Sequence, residues 1–427
     1  MILSLLLFLL LLLMGMPVVF AIGIAGFVFF LQQPELQLTM PTQLILSETQ
    51  VFTLLAIPTF VLAGNLMNEA GVTQRLLHFA SVLTGHLRGG LAQVSVVLST
   101  LMGGVSGSAI ADAAMQARIL GPGMLQRGYT RGLVAALQGF TGLIAVAIPP
   151  SIGLILYGSI GQVSVGQLFA GGLGMGVVLA SLYMLVVSLI ARARGYQPEQ
   201  PRPATPREVV LAFLGSIWAI VFPIVLLLAL RGGVFVPSEV GAAAAVYALL
   251  VGLLIYRELD WTKLQRALRN TVADVGMISF LIACSALLSY GMKWEMFPQN
   301  LSAFLLNLKL PPEAVVALVL VFLLLLGTVL DSTVMIILLT PILVPAMKAL
   351  GVDLVHFGVL MVMTSAIGLL TPPVGLSMYS VCSILGCTVR EYIQEGWPFF
   401  LAALGAILLA FFLPGVVTFL PRLLFGG

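Results

Sequence analysis

Charge is what this 427-residue chain has least of: 8% of its residues are charged, against about 25% in ordinary soluble proteins. That shortage excludes a typical water-soluble domain. With a mean hydropathy of +1.14 and repeated near-uncharged runs of about 20 residues, the chain reads as an all-α polytopic membrane protein. The runs lack strict apolar–polar alternation, which argues against an outer-membrane barrel. A net charge of +3, dispersed along the chain, gives no footprint for nucleic acid. Cysteine is nearly missing: Cys284, Cys382 and Cys387 lie in or beside apolar segments, make no metal or redox spacing, and read as small core residues. His78, His86 and His356 stand alone at predicted membrane surfaces. HExxH, clustered zinc ligands, a nucleophile elbow and GxxxxGK[ST] are all absent. The chain therefore does not hydrolyse ATP through a P-loop, and transport by it would draw on an ion gradient or another protein.

What the sequence does have is one unusual plan, written twice. Two apolar arms, 91–101 and 109–121, flank Gly103-Gly104-Val105-Ser106-Gly107-Ser108, and a Pro149-Pro150 break follows. Arms at 314–326 and 334–346 flank Gly327-Thr328-Val329-Leu330-Asp331-Ser332-Thr333, followed by Pro372-Pro373. Gly104 and Gly327, Pro122 and Pro345, and Pro149 and Pro372 are each 223 positions apart. An arm of about 13 helical residues covers roughly 20 Å, short of the ~30 Å hydrocarbon core, so each pair reads as a re-entrant hairpin. Paired, Gly/Pro-interrupted segments are the sequence pointer to a secondary transporter's binding site.

Full crossings are expected at 2–31, 44–69, 132–158, 166–191, 209–231, 236–255, 271–292, 355–385 and 397–420. The apolar stretch after Met1 has no basic leader region and reads as a retained first span. With the N-terminus cytoplasmic and the C-terminus periplasmic, thirteen basic residues fall inside: Arg75, Arg88, Arg127, Arg131, Arg192, Arg194, Arg202, Arg207, Arg257, Lys263, Arg266, Arg269 and Arg390. Setting aside Arg118 within the first hairpin, only Arg231, Lys293, Lys309, Lys348 and Arg422 fall outside, as the positive-inside rule requires. The repeats are then inverted, with hairpin 91–121 entering from the cytoplasm and hairpin 314–346 from outside. The expected organisation is a scaffold span (1–43), a first repeat (44–191), a linker with two scaffold spans (192–270) and a second repeat (271–420). The Pro- and Arg-rich segment from Ala191 to Glu208 reads as a cytoplasmic linker. Tyr256–Asn270 reads either as an amphipathic interfacial helix, with Trp261 at headgroup level, or as a solvated loop.

Irregular backbone at membrane depth must line a cavity or be buried in protein. The hairpin tips supply glycine turns with free carbonyls, together with Ser106, Ser108, Asp331, Ser332 and Thr333. Such an oxygen-rich set suits a sodium-like ion, and the helix N-termini after each tip suit a substrate carboxylate. The blander reading, glycine and serine for close helix packing, does not explain their recurrence at one offset. Asp112 and Asp331 are intramembrane carboxylates and functional candidates by default. Arg118, six residues after Asp112, falls on another helix face and favours a snorkelling or structural role, with substrate contact as the alternative. The Pro-Pro breaks free backbone carbonyls beside Ser151, Gly153, Thr371 and Gly375. The sodium candidates are thus Ser106, Ser108, Asp112, Gly327, Asp331, Ser332, Thr371 and Gly375. The substrate candidates are Ser108, Arg118, Pro150, Ser151, Thr333 and Pro373. Asn65, Gln138 and Thr141 are weaker candidates, equally suited to interhelical hydrogen bonds.

Four stretches carry a family resemblance: 104–112 (Gly-Val-Ser-Gly-Ser-Ala-Ile-Ala-Asp), 148–152 (Ile-Pro-Pro-Ser-Ile), 339–342 (Leu-Thr-Pro-Ile) and 371–375 (Thr-Pro-Pro-Val-Gly). Together they resemble the large membrane subunit of TRAP (tripartite ATP-independent periplasmic) transporters over essentially the whole chain. The resemblance implies a bacterial or archaeal inner-membrane protein working with a four-helix small membrane subunit and a periplasmic substrate-binding protein. It also implies sodium-coupled uptake of organic acids (C4-dicarboxylates, keto acids or sialic acids) by an elevator movement. The ion-coordinating oxygens would then cluster around Ser106, Ser108, Gly327, Asp331 and Thr371. The chain departs from the family pattern at 115–124, where Gln116 and Arg118 stand in a normally blander arm.

Competing readings are a self-sufficient anion symporter or antiporter, a passive channel, and an intramembrane aspartyl protease using Asp112 and Asp331 as a dyad. The protease lacks its Tyr-Asp and Gly-x-Gly-Asp signatures here and leaves the doubled plan unexplained.

Overall fold

The computed structural model describes residues 2–232, 235–307 and 309–426, and every long element among them is a helix. The chain opens with α1 (Ile2–Leu13), α2 (Val18–Leu31) and α3 (Met40–Thr49). The first repeat holds α4 (Ala56–Glu69), α5 (Val72–Thr84), α6 (Gly90–Ser106), α7 (Ala109–Ile119), α8 (Gly121–Gln126), α9 (Arg131–Ala147), α10 (Ile152–Gly161) and α11 (Val165–Arg194). Then come α12 (Pro206–Arg231) and α13 (Pro237–Leu250). The second repeat holds α14 (Trp261–Trp294), α15 (Phe297–Asn307), α16 (Pro312–Gly327), α17 (Ser332–Ala349), α18 (Leu354–Gly368), α19 (Leu376–Leu385), α20 (Val389–Phe412) and α21 (Gly415–Phe425). Shifted by 223 positions, α5, α6, α7, α9, α10 and α11 each begin within two residues of α15, α16, α17, α18, α19 and α20. The repeat is structural as well as sequential.

Local chemistry sets these boundaries. Thr130, Ser151, Ser164 and Asp260 accept a backbone N–H of the first turn of α9, α10, α11 and α14, satisfying a donor that apolar surroundings would leave bare. Thr205 and Glu208 close a reciprocal cap at the start of α12, and Thr388 and Glu391 do the same for α20. Both Pro-Pro bonds are cis. The first separates α9 from α10 with a 41° bend.

Among the described residues, six helices are long and apolar enough to cross a membrane, or up to eight if each bent pair is one span. Several expected crossings are broken. Residues 2–31 form two helices parted at Gly15–Pro17, and 44–69 bends by 53° between α3 and the helical segment ending at Glu69. Residues 355–385 divide at the second Pro-Pro, and 397–420 divides at Leu413-Pro414. One expectation is corrected outright. Residues 261–270 are neither a separate interfacial helix nor a loop, but the first turns of the continuous 34-residue α14. Its Asp260 cap and a run free of glycine and proline up to Gly276 leave no reason to break there.

The core lies around α9 and α18, the two helices before the breaks. Every residue of α9 from Gly132 to Ala147 is buried, as is α18 from Phe357 to Gly368. The repeats interlock across this core. α7 packs on α9 and also on α19 of the other repeat, while α17 packs on α18 and on α10. Each hairpin's second arm is therefore held by the helix that follows the other repeat's break. Both tips are driven towards the same region.

Candidate functional site

The hairpin tips are shorter than the sequence suggests. α6 stays helical through Gly103 and Gly104 to Ser106, so the first turn is only Gly107 and Ser108. Gly107 sits at φ +60°, and a Cβ there would stand 2.3 Å from the Pro150 carbonyl oxygen; glycine alone meets both demands. Ser108 caps α7, accepting from Ala111 N–H at 3.5 Å. At the second tip, Thr328–Leu330 turn and Asp331 caps α17, its Oδ1 accepting from Thr333 N–H at 2.8 Å. Positions 108 and 331 are 223 apart, so the two caps are equivalent.

The two tips meet at one cavity of about 280 Å³. Ser106, Ser108, Asp331, Ser332 and Thr333 line it, together with Pro150, Ile152 and Gly153 of the first break. The N-termini of α7, α10 and α17 thus converge on it, each presenting partial positive charge. Ser106 Oγ is buried and has no hydrogen-bond partner among the described residues. A buried hydroxyl without a partner costs free energy unless something fills the need, and an ion or solute oxygen group in the cavity would do so.

A further part of the lining comes from α4 and α14 and carries Asn65, Asn68 and Asp274. Asn65 Nδ2 donates to Thr271 Oγ1 at 3.1 Å and to Asp274 Oδ2 at 3.3 Å. The wall touches hairpin 1 closely: a Cβ on Gly64 would lie 2.6 Å from the Val105 carbonyl oxygen. Asp274 and Asn68 escape a search guided by the repeat, because position 274 less 223 falls on Val51, outside the doubled plan. The available signal was Asp274 itself, an acidic residue within an otherwise apolar stretch.

Other candidates lie elsewhere. Asp112 does not line the cavity; it is buried inside hairpin 1, where its Oδ2 accepts from Ser99 Oγ and Gln116 Nε2, both at 2.8 Å. Gln116 Nε2 also donates to Ser99 Oγ. Ser95 Oγ reaches Gln116 Oε1 at 3.0 Å and Gln138 Oε1 at 2.8 Å, extending the network to α9. Arg118 is exposed on the far side of α7. Ser151 is fully buried as the cap of α10, its Oγ accepting from Leu154 N–H at 3.4 Å. Thr371 Oγ1 donates to the Gly368 carbonyl at 3.0 Å, and Thr371, Pro373 and Gly375 belong to the second break, outside the cavity lining. That break is tied to hairpin 2 instead: the N–H of Val374 donates to the Thr328 carbonyl at 3.1 Å. Gly327 stands against Gly368, where a Cβ would come 2.3 Å from the Gly327 carbonyl carbon.

Two solved structures share the fold. The Alcanivorax borkumensis YdaH transporter matches with a TM-score of 0.59 at 13% identity, covering 86% of this chain and 87% of its own. Neisseria gonorrhoeae MtrF matches with a TM-score of 0.57 at 14% identity, covering 88% and 84%. At such identities the likeness concerns the fold alone. The deciding match is to the family described as "Tripartite ATP-independent periplasmic transporter, DctM component", over residues 5–416. The chain belongs to this family. The TRAP large permease family includes the 2,3-diketo-L-gulonate permease protein YiaN of Escherichia coli, 32% identical over 94% of both chains. The C4-dicarboxylate permease protein DctM of Pseudomonas aeruginosa is 32% identical over 87% of this chain and 86% of its own. The sialic acid permease protein SiaM of Vibrio cholerae is 31% identical over 96% of each. These relatives are transport subunits, which makes the present chain a TRAP large permease subunit and not an enzyme.

Proposed function

We propose that this TRAP subunit imports a small organic acid together with sodium, using the cavity at the two hairpin tips as its transport site. The observation that carries the reading is the convergence there of both repeats: two equivalent tips, three helix N-termini and the unpartnered Ser106 hydroxyl. A carboxylate is costly at membrane depth, and helix N-termini together with a bound cation offset that cost. Ser106, Ser108, Asp331 and Ser332 supply oxygens for sodium, while the first-turn N–H groups of α7, α10 and α17 face the solute carboxylate. Thr371 and Gly375 would serve a second ion at the other break.

The close approach of Gly64 on α4 to the Val105 backbone of hairpin 1 suits sliding of the hairpins against the α4–α14 wall, an elevator movement that carries the site across an inner membrane. The tripartite family supports a small membrane subunit and a periplasmic binding protein as partners, and the substrates for which the relatives are named are organic acids. The test is uptake of labelled organic acids into proteoliposomes holding both membrane subunits. Sodium gradient and periplasmic binding protein are each added or omitted. Uptake that needs both is expected. Sodium-driven uptake without the soluble protein would make the chain a self-sufficient symporter, and flux without a coupling ion would make it a channel.

A further inference from the structure

Among the described residues, the cavity lining contains two carboxylates and no Lys, Arg or His. The two acids are not alike. Asp331 is the cap of α17, and its Oδ1 is held by Thr333 N–H, so the helix N-terminus offsets part of its charge. Asp274 sits mid-helix in α14, is exposed, and accepts a hydrogen bond from the neutral amide of Asn65. The α4–α14 wall thus carries a carboxylate with no basic side chain in the described lining, in the same cavity as the N-termini of α7 and α10, whose caps, Ser108 and Ser151, are neutral.

We propose that Asp274 receives the ammonium group of a zwitterionic solute whose carboxylate lies at the hairpin tips. The proposal rests on reading this cavity as the solute site. Charge complementarity favours it in both directions: an ammonium gains a charge-assisted hydrogen bond at Asp274, whereas a dicarboxylate would set its second anion against that carboxylate. Sodium is the poorer occupant of this wall. A hard cation takes a cage of oxygens, and the lining residues of this wall with side-chain oxygens are Asp274, Asn65 and Asn68, while the tips provide several hydroxyls, the Asp331 carboxylate and turned backbone. A cavity of about 280 Å³ lies just under the ~300 Å³ lower bound for drug-sized pockets and suits a solute of amino-acid size.

The test uses the purified complex of large and small membrane subunits and follows its thermal stabilisation by matched probes at several sodium concentrations. The probes are L-glutamate against glutarate and γ-aminobutyrate against butyrate, pairs that share a carbon skeleton and differ by the amine. The wild type should bind at least one amine-bearing member about tenfold more tightly than its partner, the effect of one charged hydrogen bond. Asp274→Asn, which keeps the size and the Asn65 neighbour, should bring that ratio close to one without moving the sodium half-saturation point. Asp274→Glu should restore part of the ratio. A wild-type ratio near one in both pairs, or an unchanged ratio in Asp274→Asn, overturns the proposal. So does a shift of the sodium half-saturation point with the ratio preserved, which assigns Asp274 to the coupling ion. Sodium-dependent binding without amine preference leaves the solute-site reading standing. Absence of any sodium-dependent stabilisation removes both.

Discussion

Moving 223 positions from hairpin 1 to hairpin 2 exchanges Ser95, Ser99, Asp112, Gln116 and Gln138 for Leu318, Phe322, Met335, Leu339 and Met361. The first set is one buried hydrogen-bonded network joining both arms to α9. The second is wholly apolar, and on α16 it faces outward, with Leu318 and Phe322 more than half or half exposed at 55% and 50%. The breaks differ in the same sense: Pro149, Pro150 and Ser151 are buried, whereas Pro372, Pro373 and Val374 are exposed. One backbone plan is therefore held in two ways. Hairpin 1 is fixed by directional polar bonds in a low-dielectric interior, and hairpin 2 by apolar packing and two backbone ties to its break, from the N–H groups of Val374 and Gly375 to the Thr328 carbonyl. Symmetry sets where the tips meet; the fillings set how firmly each is held.

The sharpest way to break this comparison is to make hairpin 2 resemble hairpin 1 at one position. Met335→Asp would bury a carboxylate where Phe322 and Leu339 stand at the Ser99 and Gln116 positions. It should cost about 3–5 kcal/mol, read as a lowered unfolding midpoint in detergent; wild-type stability would mean that site is wetter than its burial indicates. Next, Gly368→Ala forces a Cβ into the Gly327 backbone and should cost about 3 kcal/mol, with hairpin 2 losing its seat on α18. Asp112→Ala leaves Ser99 and Gln116 without their shared acceptor and should cost about 2 kcal/mol. Replacing Ser99, Asp112 and Gln116 together by apolar residues should cost less than the sum of the three single changes. The mildest test perturbs nothing. Amide exchange in the first turns of α17 should run about tenfold faster than in α7, and equal rates would show that the polar network does not stiffen hairpin 1.

How much of this was legible in the sequence follows from which residues act locally. Prolines and glycines mark breaks and turns wherever they fall, so the 223-residue repeat, both Pro-Pro breaks and the helical-hairpin plan could be read directly. Gly103 and Gly104 misled because glycine is tolerated inside membrane helices, and the helix runs past them. The basic stretch before residue 271 suggested a change of environment, yet charge alone does not end a capped helix. Asp112 was rightly singled out as a costly intramembrane carboxylate. Its partner Ser99, thirteen residues earlier on the opposing arm, depends on how the arms cross, which no local pattern encodes. Asp274 shares a cavity with Asp331 only because α14 packs beside α4 and the interlocked repeats bring the tips to that wall.

The central claim is that both tips serve one site. It is tested most directly by placing a single cysteine at Ser106 or at Ser332 in a chain whose three native cysteines are replaced, then following thiol labelling. Both tip cysteines should be protected together, by sodium and the transported solute at the same concentrations. Protection of one tip with the other unaffected would contradict the account.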